Sequence, residues 1–164
     1  MENKQYKDSM NKTEQIIKRS VDFVIATCCL IFFSPLAIAC AIAIRLEDGL
    51  PVIYRQERIG LHGKPFFIYK FRSMKIDAEK DGPDLLEIKG DPRLTKVGRF
   101  LRMHHLDELP QLWNVFKGDM AFVGPRPERK FYIDQIIFRV PRYTYLFQIR
   151  PGVTSYATLY NGYT

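Results

Sequence analysis

An uncharged, apolar run of 22 residues constrains the fold more than any other feature of the sequence. The run extends from Phe23 to Ile44. At about 1.5 Å per residue, a helix of this length crosses a hydrocarbon core roughly 30 Å thick. Ser34-Pro35 interrupts the run near its middle, where proline removes a helical N–H donor and its ring clashes with the preceding turn. The run therefore predicts a membrane-embedded helix that kinks or breaks at this dipeptide.

Basic residues flank the apolar run on both sides. Lys18 and Arg19 precede it, and Arg45 follows it. Because positively charged flanks favour the cytoplasmic side, both ends are predicted to stay there, as in a re-entrant helix-break-helix with Ser34-Pro35 at its apex. The serine hydroxyl can satisfy a carbonyl that the proline frees, which makes a break at membrane depth tolerable. A kinked helix that crosses the membrane once fits the same residues equally well.

The composition suits an anionic partner. The chain of 164 residues has 25 Lys and Arg against 18 Asp and Glu, a formal net charge of +7. Such a balance fits a phosphorylated substrate, an anionic lipid or nucleic acid. The sequence has no nucleic-acid-binding motif, and that function would leave the apolar run unexplained. All three cysteines lie inside the run, so they predict neither a disulfide framework nor a zinc site.

Short strands and helices are predicted after the apolar run. Residues 51–56 and 65–72 have strand patterns on either side of a turn-rich connector, which predicts a β-hairpin. Residues 97–103 and 128–140 are predicted to be helical, and residues 77–91 to form a charged surface loop. Two Pro/Gly motifs, at 121–127 and 149–154, predict separate rigid turns.

These patterns predict an α+β chain with three parts. A polar and basic flank that includes the start of a helix occupies residues 1–22. The re-entrant membrane helix-break-helix occupies residues 23–44. A small, interfacial cytoplasmic domain of short helices and a β-hairpin occupies residues 45–164, and it is expected to be the catalytic part if the chain is an enzyme.

Two adjacent carboxylates, Asp107 and Glu108, lie between apolar residues. Asp107 is predicted to cap a helix that has Pro110 in its first turn and ends before Gly118. The positive end of a helix favours an ionised aspartate and a phosphate nearby. Such an aspartate can be a nucleophile or a metal ligand. Taken alone, the pair is explained as simply by a helix cap beside a solvent-exposed glutamate, so the rest of the sequence must decide.

Four basic residues are candidates for anion binding. Lys70 and Arg72 are predicted to share one strand face, where they can clamp a diphosphate. Arg102 stands shortly before Asp107 and can pair with a phosphate or a carboxylate. Arg126 lies between two prolines, which restrict its backbone and preset it for a phosphate or a uracil carbonyl. A solvated surface charge is the simpler explanation open to each of the four.

Several motifs occur together in the order of one known family. From about Lys18 to Asn161 the sequence closely resembles the monotopic phosphoglycosyl transferases, the bacterial sugar transferase family, in their minimal form. Several independent motifs in one order are far more specific than any one of them alone. The motifs are Lys18-Arg19 with Asp22, Ser34-Pro35, Ile68–Met74, Leu106–Leu112, Asn114–Met120, Val123-Gly124-Pro125-Arg126-Pro127 and Arg150-Pro151-Gly152-Val153-Thr154.

The resemblance implies an enzyme of the bacterial inner membrane whose catalytic domain faces the cytoplasm. It implies transfer of a sugar 1-phosphate from a nucleoside diphosphate sugar, usually a UDP-sugar, to polyprenyl (undecaprenyl) phosphate. The implied route is a covalent aspartyl phosphosugar with Mg²⁺ as cofactor, and the reaction initiates glycoconjugate synthesis. By motif match, Asp107 is the nucleophile and lies by the metal, and Glu108 completes the dyad. The substrate-binding positions are Lys70, Arg72, Arg102 and Arg126, and the break of the membrane hairpin is Ser34-Pro35.

The chain also departs from the family pattern. Ser155-Tyr156-Ala157-Thr158 stands where the family often has Gly-Trp-Ala-Gln, which leaves the sugar and base contacts of this region open. Family chains usually continue past the Asn161-Gly162 turn, so a truncated C-terminus or an unusually short member is expected. A non-catalytic, membrane-tethered anion-binding module of the same pathway is the alternative function, although the intact dyad favours the enzyme. The sequence reveals neither the sugar, nor the glycan, nor the oligomeric state.

Overall fold

The structure is a computed structural model that describes residues 10–76, 78 and 91–155. Within these ranges helices combine with short strands, which confirms the predicted α+β class. The helices are α1 (Lys12–Phe32), α2 (Ser34–Asp48), α3 (Lys96–Met103), α4 (Gln111–Lys117) and α5 (Lys130–Arg139). The strands are β1 (Ile53–Ile59), β2 (Pro65–Phe71), β3 (Ala121–Val123) and β4 (Gly152–Thr154). Short 3-10 helices occupy Leu61–Gly63, Leu106–Glu108 and Pro141–Gln148.

The apolar run folds into α1 and α2, which are separated at the predicted dipeptide. Pro35 lies in the first turn of α2, where a missing N–H donor leaves no helical hydrogen bond unmade. The Ser34 hydroxyl donates to the carbonyl oxygen of Ile31 over 2.8 Å. The serine therefore satisfies a carbonyl at the break, as the sequence predicts. The two helices are bent by 59° at this point.

Length and composition bear on how this helix pair meets a membrane. No single helix in the described part of the chain is long and apolar enough to cross one, whereas α1 and α2 together pass that test. Large apolar side chains at the break remain uncovered by protein: Ile31 is 71% exposed and Phe32 is 76% exposed. Exposed apolar surface of this kind suits lipid contact, and the re-entrant path stays a prediction.

The topology is testable by cysteine labelling. We expect cysteines introduced at Lys12 and Glu57, in a chain whose native cysteines are replaced by alanine, to react from the same side of the membrane. Pro35→Ala should restore a continuous helix and place the two sites on opposite sides, because alanine supplies the N–H donor and removes the ring clash. Leu36→Ala is the control and should leave sidedness unchanged. Opposite-side labelling in the chain that retains Pro35 would replace the re-entrant path with a kinked span.

Packing divides the chain into two compact units. The described part of the first unit comprises residues 10–30, 56–68 and 111–155. Its core is formed by Ala26, Ile68, Val115 and Met120, each at most 4% exposed. The small Ala26 side chain is fully buried, so α1 contributes a narrow face to this core. The predicted boundaries after residues 22 and 44 concern the membrane and stay a prediction.

The described part of the second unit comprises residues 31–55, 69–76, 78 and 91–110. Its buried core consists of Cys40, Ile44, Phe71 and Leu101. Cys40 and Ile44 are one helical turn apart on α2, so they present the same face of the helix. Burying an aliphatic or aromatic side chain of this size contributes about 1.5–3 kcal/mol. This core therefore joins α2 to β2 and α3.

The first pair of strands confirms the predicted hairpin. β1 and β2 form a two-stranded sheet, joined through the 3-10 helix at residues 61–63. β1 begins two residues later than predicted and extends to Ile59, and β2 ends at Phe71. His62 and Gly63 both have positive φ in this connection, which explains why a tight turn forms where the sequence is rich in glycine.

The two Pro/Gly motifs form one structure instead of two separate rigid turns. β3 and β4 pair in parallel, with Ala121 opposite Gly152 and Val123 opposite Thr154. Backbone hydrogen bonds of 2.8 to 3.1 Å continue the ladder on both sides of this register. The sequence analysis missed this pairing because the partners are far apart in the chain. α5 and the 3-10 helix at residues 141–148 lie between them in sequence, and α3 and α5 confirm the two predicted helices.

The predicted loop at residues 77–91 lies outside the described residues except for Ala78 and Asp91. At its end the surface prediction is wrong, because Asp91 is 1% exposed. Its two carboxylate oxygens accept hydrogen bonds of 2.5 to 3.1 Å from the Arg93 side chain. The hydrogen bonds from Arg93 lower the pKa of Asp91 to about 2. Asp91 is therefore a buried, ionised residue that is held by Arg93.

Candidate active site

The dyad lies in the short 3-10 helix at residues 106–108, and the prediction that Asp107 caps α4 is wrong. α4 begins only at Gln111. A capping side chain accepts from a backbone N–H two or three residues further on. The N–H of Leu109 already donates to the carbonyl of Leu106 over 3.2 Å, and Pro110 has no N–H to offer. The carboxylate of Asp107 therefore does not cap α4.

Two leucines fix the dyad segment in the second unit. Leu106 and Leu109 pack against the core formed around Phe71 and Leu101. His105, which precedes the turn, has a left-handed backbone with φ 55° and ψ 20°. This backbone costs little at His105, because histidine is among the residues that adopt this region more readily than most. Asp107 is thereby held against protein instead of facing water.

Burial dominates the electrostatics of Asp107, which is 7% exposed. Loss of solvent raises the pKa of its carboxyl, and the positive charge of Lys70 opposes that effect. The neighbouring Glu108 raises the pKa further, and Arg102 lowers it. The net direction is upward. A raised pKa favours the neutral carboxyl, so Asp107 depends on nearby positive charge to stay ionised, and its perturbed pKa marks it as a candidate functional group.

Lys70 is paired with the second member of the dyad. Its ammonium nitrogen lies 2.7 Å from the Oε1 atom of Glu108. Both side chains are largely buried, at 23% and 14% exposure, so water screens this pair less than a surface pair. The sequence analysis placed Lys70 among the substrate contacts. The structure adds that it joins β2 to the dyad.

Arg102 is oriented by Ser73, a residue that the sequence analysis did not single out. The Nε atom of Arg102 donates to the Ser73 hydroxyl over 2.9 Å. The Ser73 carbonyl accepts the backbone N–H of Thr95 over 3.1 Å, and a Cβ added at Gly98 would lie 1.9 Å from that carbonyl oxygen. The only signal in the sequence was the position of Ser73 within the Ile68–Met74 motif. Ser73 therefore fixes both α3 and the arginine that α3 carries.

Arg72 pairs with the end of α2 in the structure, and its predicted role as a diphosphate contact beside Lys70 stays a prediction. It follows the last residue of β2 and is 6% exposed. Its Nη2 atom donates to the carbonyl oxygen of Asp48 over 2.8 Å and lies 3.1 Å from the Asp48 carboxylate. Nε and Nη1 of Arg72 are buried without a hydrogen-bond partner among the described residues. Arg72 therefore binds the end of α2 and keeps two donors that suit an anionic oxygen.

Arg126 belongs to the first unit and lies beside a shallow pocket there. The pocket is lined by Ile59 and Gly60, by the Pro125-Arg126-Pro127 loop, and by Tyr143 and Phe147, among others. Arg58, a second residue missed by the sequence analysis, donates to the Pro127 carbonyl over 3.0 Å. This bond fixes the loop that presents Arg126, and the preset pose of Arg126 between its two prolines stays a prediction.

The dyad can also serve a divalent cation. Among the described residues, no group of three or more His, Cys, Asp or Glu side chains could hold a metal ion by itself. Mg²⁺ is commonly held by one or two carboxylates together with substrate phosphates and water. The two carboxylates at positions 107 and 108 match that limited need. The donor set therefore fits a Mg²⁺ ion that arrives with a phosphorylated substrate.

Comparison with known proteins places the chain in a family. Residues 13–164 match the family described as bacterial sugar transferase. The chain is 43% identical over 147 residues to the UDP-N-acetylgalactosamine-undecaprenyl-phosphate N-acetylgalactosaminephosphotransferase of Aeromonas hydrophila, with 90% of this chain and 34% of that protein covered. It is 46% identical over 141 residues to the UDP-glucose:undecaprenyl-phosphate glucose-1-phosphate transferase of Caulobacter vibrioides, with 85% and 52% covered.

A third relative has the same named activity as the Caulobacter protein. It is the UDP-glucose:undecaprenyl-phosphate glucose-1-phosphate transferase of Escherichia coli K12, 40% identical over 158 residues, with 96% of this chain and 34% of that protein covered. The chain thus spans about a third to about half the length of these curated relatives. Because the family match runs through nearly all of the sequence, the chain belongs to the bacterial sugar transferase family.

Proposed function

We propose that the chain transfers a sugar 1-phosphate from a UDP-sugar to undecaprenyl phosphate, on the cytoplasmic face of the bacterial inner membrane. This reaction would initiate the synthesis of a glycoconjugate. The observation that carries the proposal is the buried Asp107 carboxylate beside the Lys70–Glu108 ion pair. The names of the three relatives, which all act on undecaprenyl phosphate, support the substrate classes.

The proposed first step is attack by a carboxylate oxygen of Asp107 on the phosphorus that carries the sugar. An oxygen–phosphorus bond to the aspartate forms, and the bond to the bridging oxygen of the diphosphate breaks. The electron pair of the broken bond leaves with UMP. In the second step an oxygen of undecaprenyl phosphate attacks the same phosphorus, and Asp107 leaves as a carboxylate. Two displacements let a soluble and a lipid substrate use one site in turn.

Charge repulsion is the main obstacle to the first step, because an anion attacks a diphosphate. Lys70 and Arg102 both contribute positive charge at Asp107. Their chain positions on β2 and α3 hold that charge before substrate arrives, so little reorganisation is needed during the reaction. Glu108 holds Lys70 through the 2.7 Å ion pair, which assigns it the role of orienting that lysine.

Mg²⁺ would be held by Asp107, with Glu108 nearby, and would neutralise charge on the transferred phosphate when bound. Arg72 is proposed as a further phosphate contact, since two of its buried donors have no hydrogen-bond partner among the described residues. The proposed lipid substrate explains the apolar helices. Its phosphate lies at headgroup level, so a site served by this lipid must be held at the membrane surface.

Arg126 is proposed to contact the nucleotide or a phosphate from the Pro-Arg-Pro loop. We expect Arg126→Lys to lower kcat/KM for the UDP-sugar about tenfold, because lysine cannot present two parallel donors. The measurement is UMP release at varied UDP-sugar concentration. Arg139→Lys, at the exposed end of α5, is the matched control and should leave kcat/KM unchanged. Equal, negligible effects of both changes would make Arg126 an ordinary surface charge.

UMP release across a panel of UDP-sugars, with and without undecaprenyl phosphate, tests the function as a whole. The enzyme should release UMP in proportion to lipid product for at least one sugar. The alternative is a non-catalytic, membrane-tethered module that binds anions in the same pathway. Such a module would bind UDP-sugar without UMP release, and this result would overturn the enzymatic proposal.

A further inference from the structure

Arg19, near the start of α1, makes two hydrogen bonds to residues far away in the sequence. Its Nη1 atom donates to the carbonyl oxygen of Val115 and its Nη2 atom to that of Phe116, each over 2.6 Å. These carbonyls belong to the last turn of α4, where helical carbonyls lack partners within the helix. A positive charge is also favoured at this end of a helix. One planar guanidinium therefore donates to two carbonyls at once, although the Val115 carbonyl also accepts the Gly118 N–H over 3.1 Å.

The end of α4 is shaped to receive this side chain. Gly118 follows the helix with φ +93°, and a Cβ built on it would lie 3.1 Å from Nη2 of Arg19. The Gly118 carbonyl accepts a hydrogen bond from Nε of Arg150 over 3.0 Å. A glycine here therefore supplies a left-handed backbone and also room for the arginine. Two arginines from distant parts of the chain complete the same helix end.

Aromatic rings continue the contact between α1 and α4. The guanidinium carbon of Arg19 lies 5.8 Å from the ring centre of Phe23, within cation–π range. Phe23 stacks on Phe116 with 4.9 Å between ring centres, and Phe116 stacks on Trp113 with 5.1 Å. Such pairs contribute about 0.5–1.5 kcal/mol beyond their buried area. Trp113 is the single tryptophan of the chain.

A second polar residue of α1 reaches the strand that follows α4. Asp22 is 7% exposed and accepts a hydrogen bond from the backbone N–H of Phe122 on β3 over 3.3 Å. It also lies 2.9 Å from the ammonium nitrogen of Lys18. Arg19 and Asp22 thus attach the same stretch of α1 to α4 and to β3. A basic flank that served only membrane orientation would need none of these contacts.

We propose that Arg19 is a positioning residue that docks α1 onto the end of α4. The inference rests on the proposed function, because α4 follows the dyad along the chain after Leu109-Pro110. If α4 slides along α1, the shift passes along the chain through Leu109-Pro110 to the segment that carries Asp107. Misplacement of a reacting group by about 1 Å costs about a hundredfold in rate. Loss of Arg19 should therefore lower kcat and leave KM for the UDP-sugar nearly unchanged.

The test compares Arg19→Lys, Arg19→Gln and Lys12→Gln in the full chain reconstituted in lipid nanodiscs. Arg19→Lys keeps the positive charge that favours the cytoplasmic side but cannot bridge two carbonyls. Lys12→Gln removes one positive charge from the exposed first turn of α1. Quenching of Trp113 fluorescence by acrylamide reports docking and needs no turnover. Transfer kinetics report positioning, and cysteine labelling reports sidedness.

We expect Arg19→Lys to make Trp113 more accessible to acrylamide and to lower kcat about tenfold or more. KM for the UDP-sugar should stay within twofold and sidedness should not change. Arg19→Gln should show the larger effects, and Lys12→Gln should match the parent chain. Wild-type quenching or wild-type kcat in Arg19→Lys would overturn the proposal. If the parent chain transfers no sugar phosphate, that result overturns the proposed function alone. The quenching result still decides whether Arg19 docks α1 onto α4.

Discussion

Replacing Asp107 with asparagine is expected to lower sugar-phosphate transfer by several orders of magnitude while leaving the fold intact. Asparagine keeps the shape of the side chain but lacks the negative charge needed to attack phosphorus. Stability should change little, because burial already raises the pKa of the Asp107 carboxyl despite the opposing charge of Lys70. The measurements are UMP release with UDP-sugar and undecaprenyl phosphate, and thermal unfolding in detergent.

Glu108→Gln is the matched control for this result. It breaks the 2.7 Å ion pair with Lys70 but leaves the proposed nucleophile in place. We expect slower turnover together with a covalent adduct that still forms. Both variants remove one negative charge from the same turn, so a difference between them isolates the attacking role of Asp107.

Mass spectrometry distinguishes the two-step route from a direct one. With UDP-sugar and Mg²⁺ but no lipid, the peptide that contains Asp107 should gain the mass of a sugar phosphate in the parent chain and in Glu108→Gln, but not in Asp107→Asn. The covalent mechanism would be contradicted if the active parent chain showed no adduct and the Asp107→Asn variant still transferred sugar phosphate. Direct attack by the lipid phosphate on the UDP-sugar would then replace it.

Short-range signals explain which parts of the fold are predictable from the sequence. The break at Ser34-Pro35 follows from the missing donor of one proline, and the β1–β2 hairpin from two neighbouring strand patterns. The dyad was recognised from adjacent carboxylates and a family motif. Its local geometry was mispredicted, because Asp107 lies in a separate 3-10 helix and α4 begins only at Gln111.

Contacts between distant residues explain what the sequence did not predict. Arg72 pairs with Asp48 at the end of α2, and Ser73 orients Arg102 on α3. Nothing in the spacing of these residues identifies the partner, because each contact depends on how β2 packs against helices before and after it in the chain. The substrate-binding roles of these basic residues therefore stay a prediction, while their partners within the protein could only be found in the structure.

The pairing of β3 with β4 is also a contact between residues far apart in the chain. This close pairing predicts a large effect of Gly152→Ala. A Cβ built on Gly152 would lie 2.1 Å from the backbone nitrogen of Gly124 and 2.7 Å from its Cα. Backbone atoms cannot rotate away as a side chain can, so the two strands must separate. Gly124 N–H donates to the Thr154 carbonyl over 3.1 Å, and this bond would be strained by the separation.

We expect Gly152→Ala to destabilise the protein by about 3 kcal/mol, as overpacking of a tight contact does. For a chain of this size, that corresponds to a fall of about 10 °C in the unfolding midpoint. The displaced strand also carries the Pro125-Arg126-Pro127 loop, whose Pro125 carbonyl accepts the Gly152 N–H over 2.9 Å. UDP-sugar affinity should therefore fall at temperatures where the variant is still folded.

Gly63→Ala separates this packing effect from the general cost of replacing glycine. Gly63 has φ +72°, and a Cβ added there meets no atom within 4 Å. Its replacement should cost about 1 kcal/mol from backbone strain alone and leave UDP-sugar affinity unchanged. A Gly152→Ala variant that unfolds no earlier than Gly63→Ala would show that β3 and β4 do not approach this closely. The rigid presentation of Arg126 would then have to come from its two prolines and from Arg58 alone.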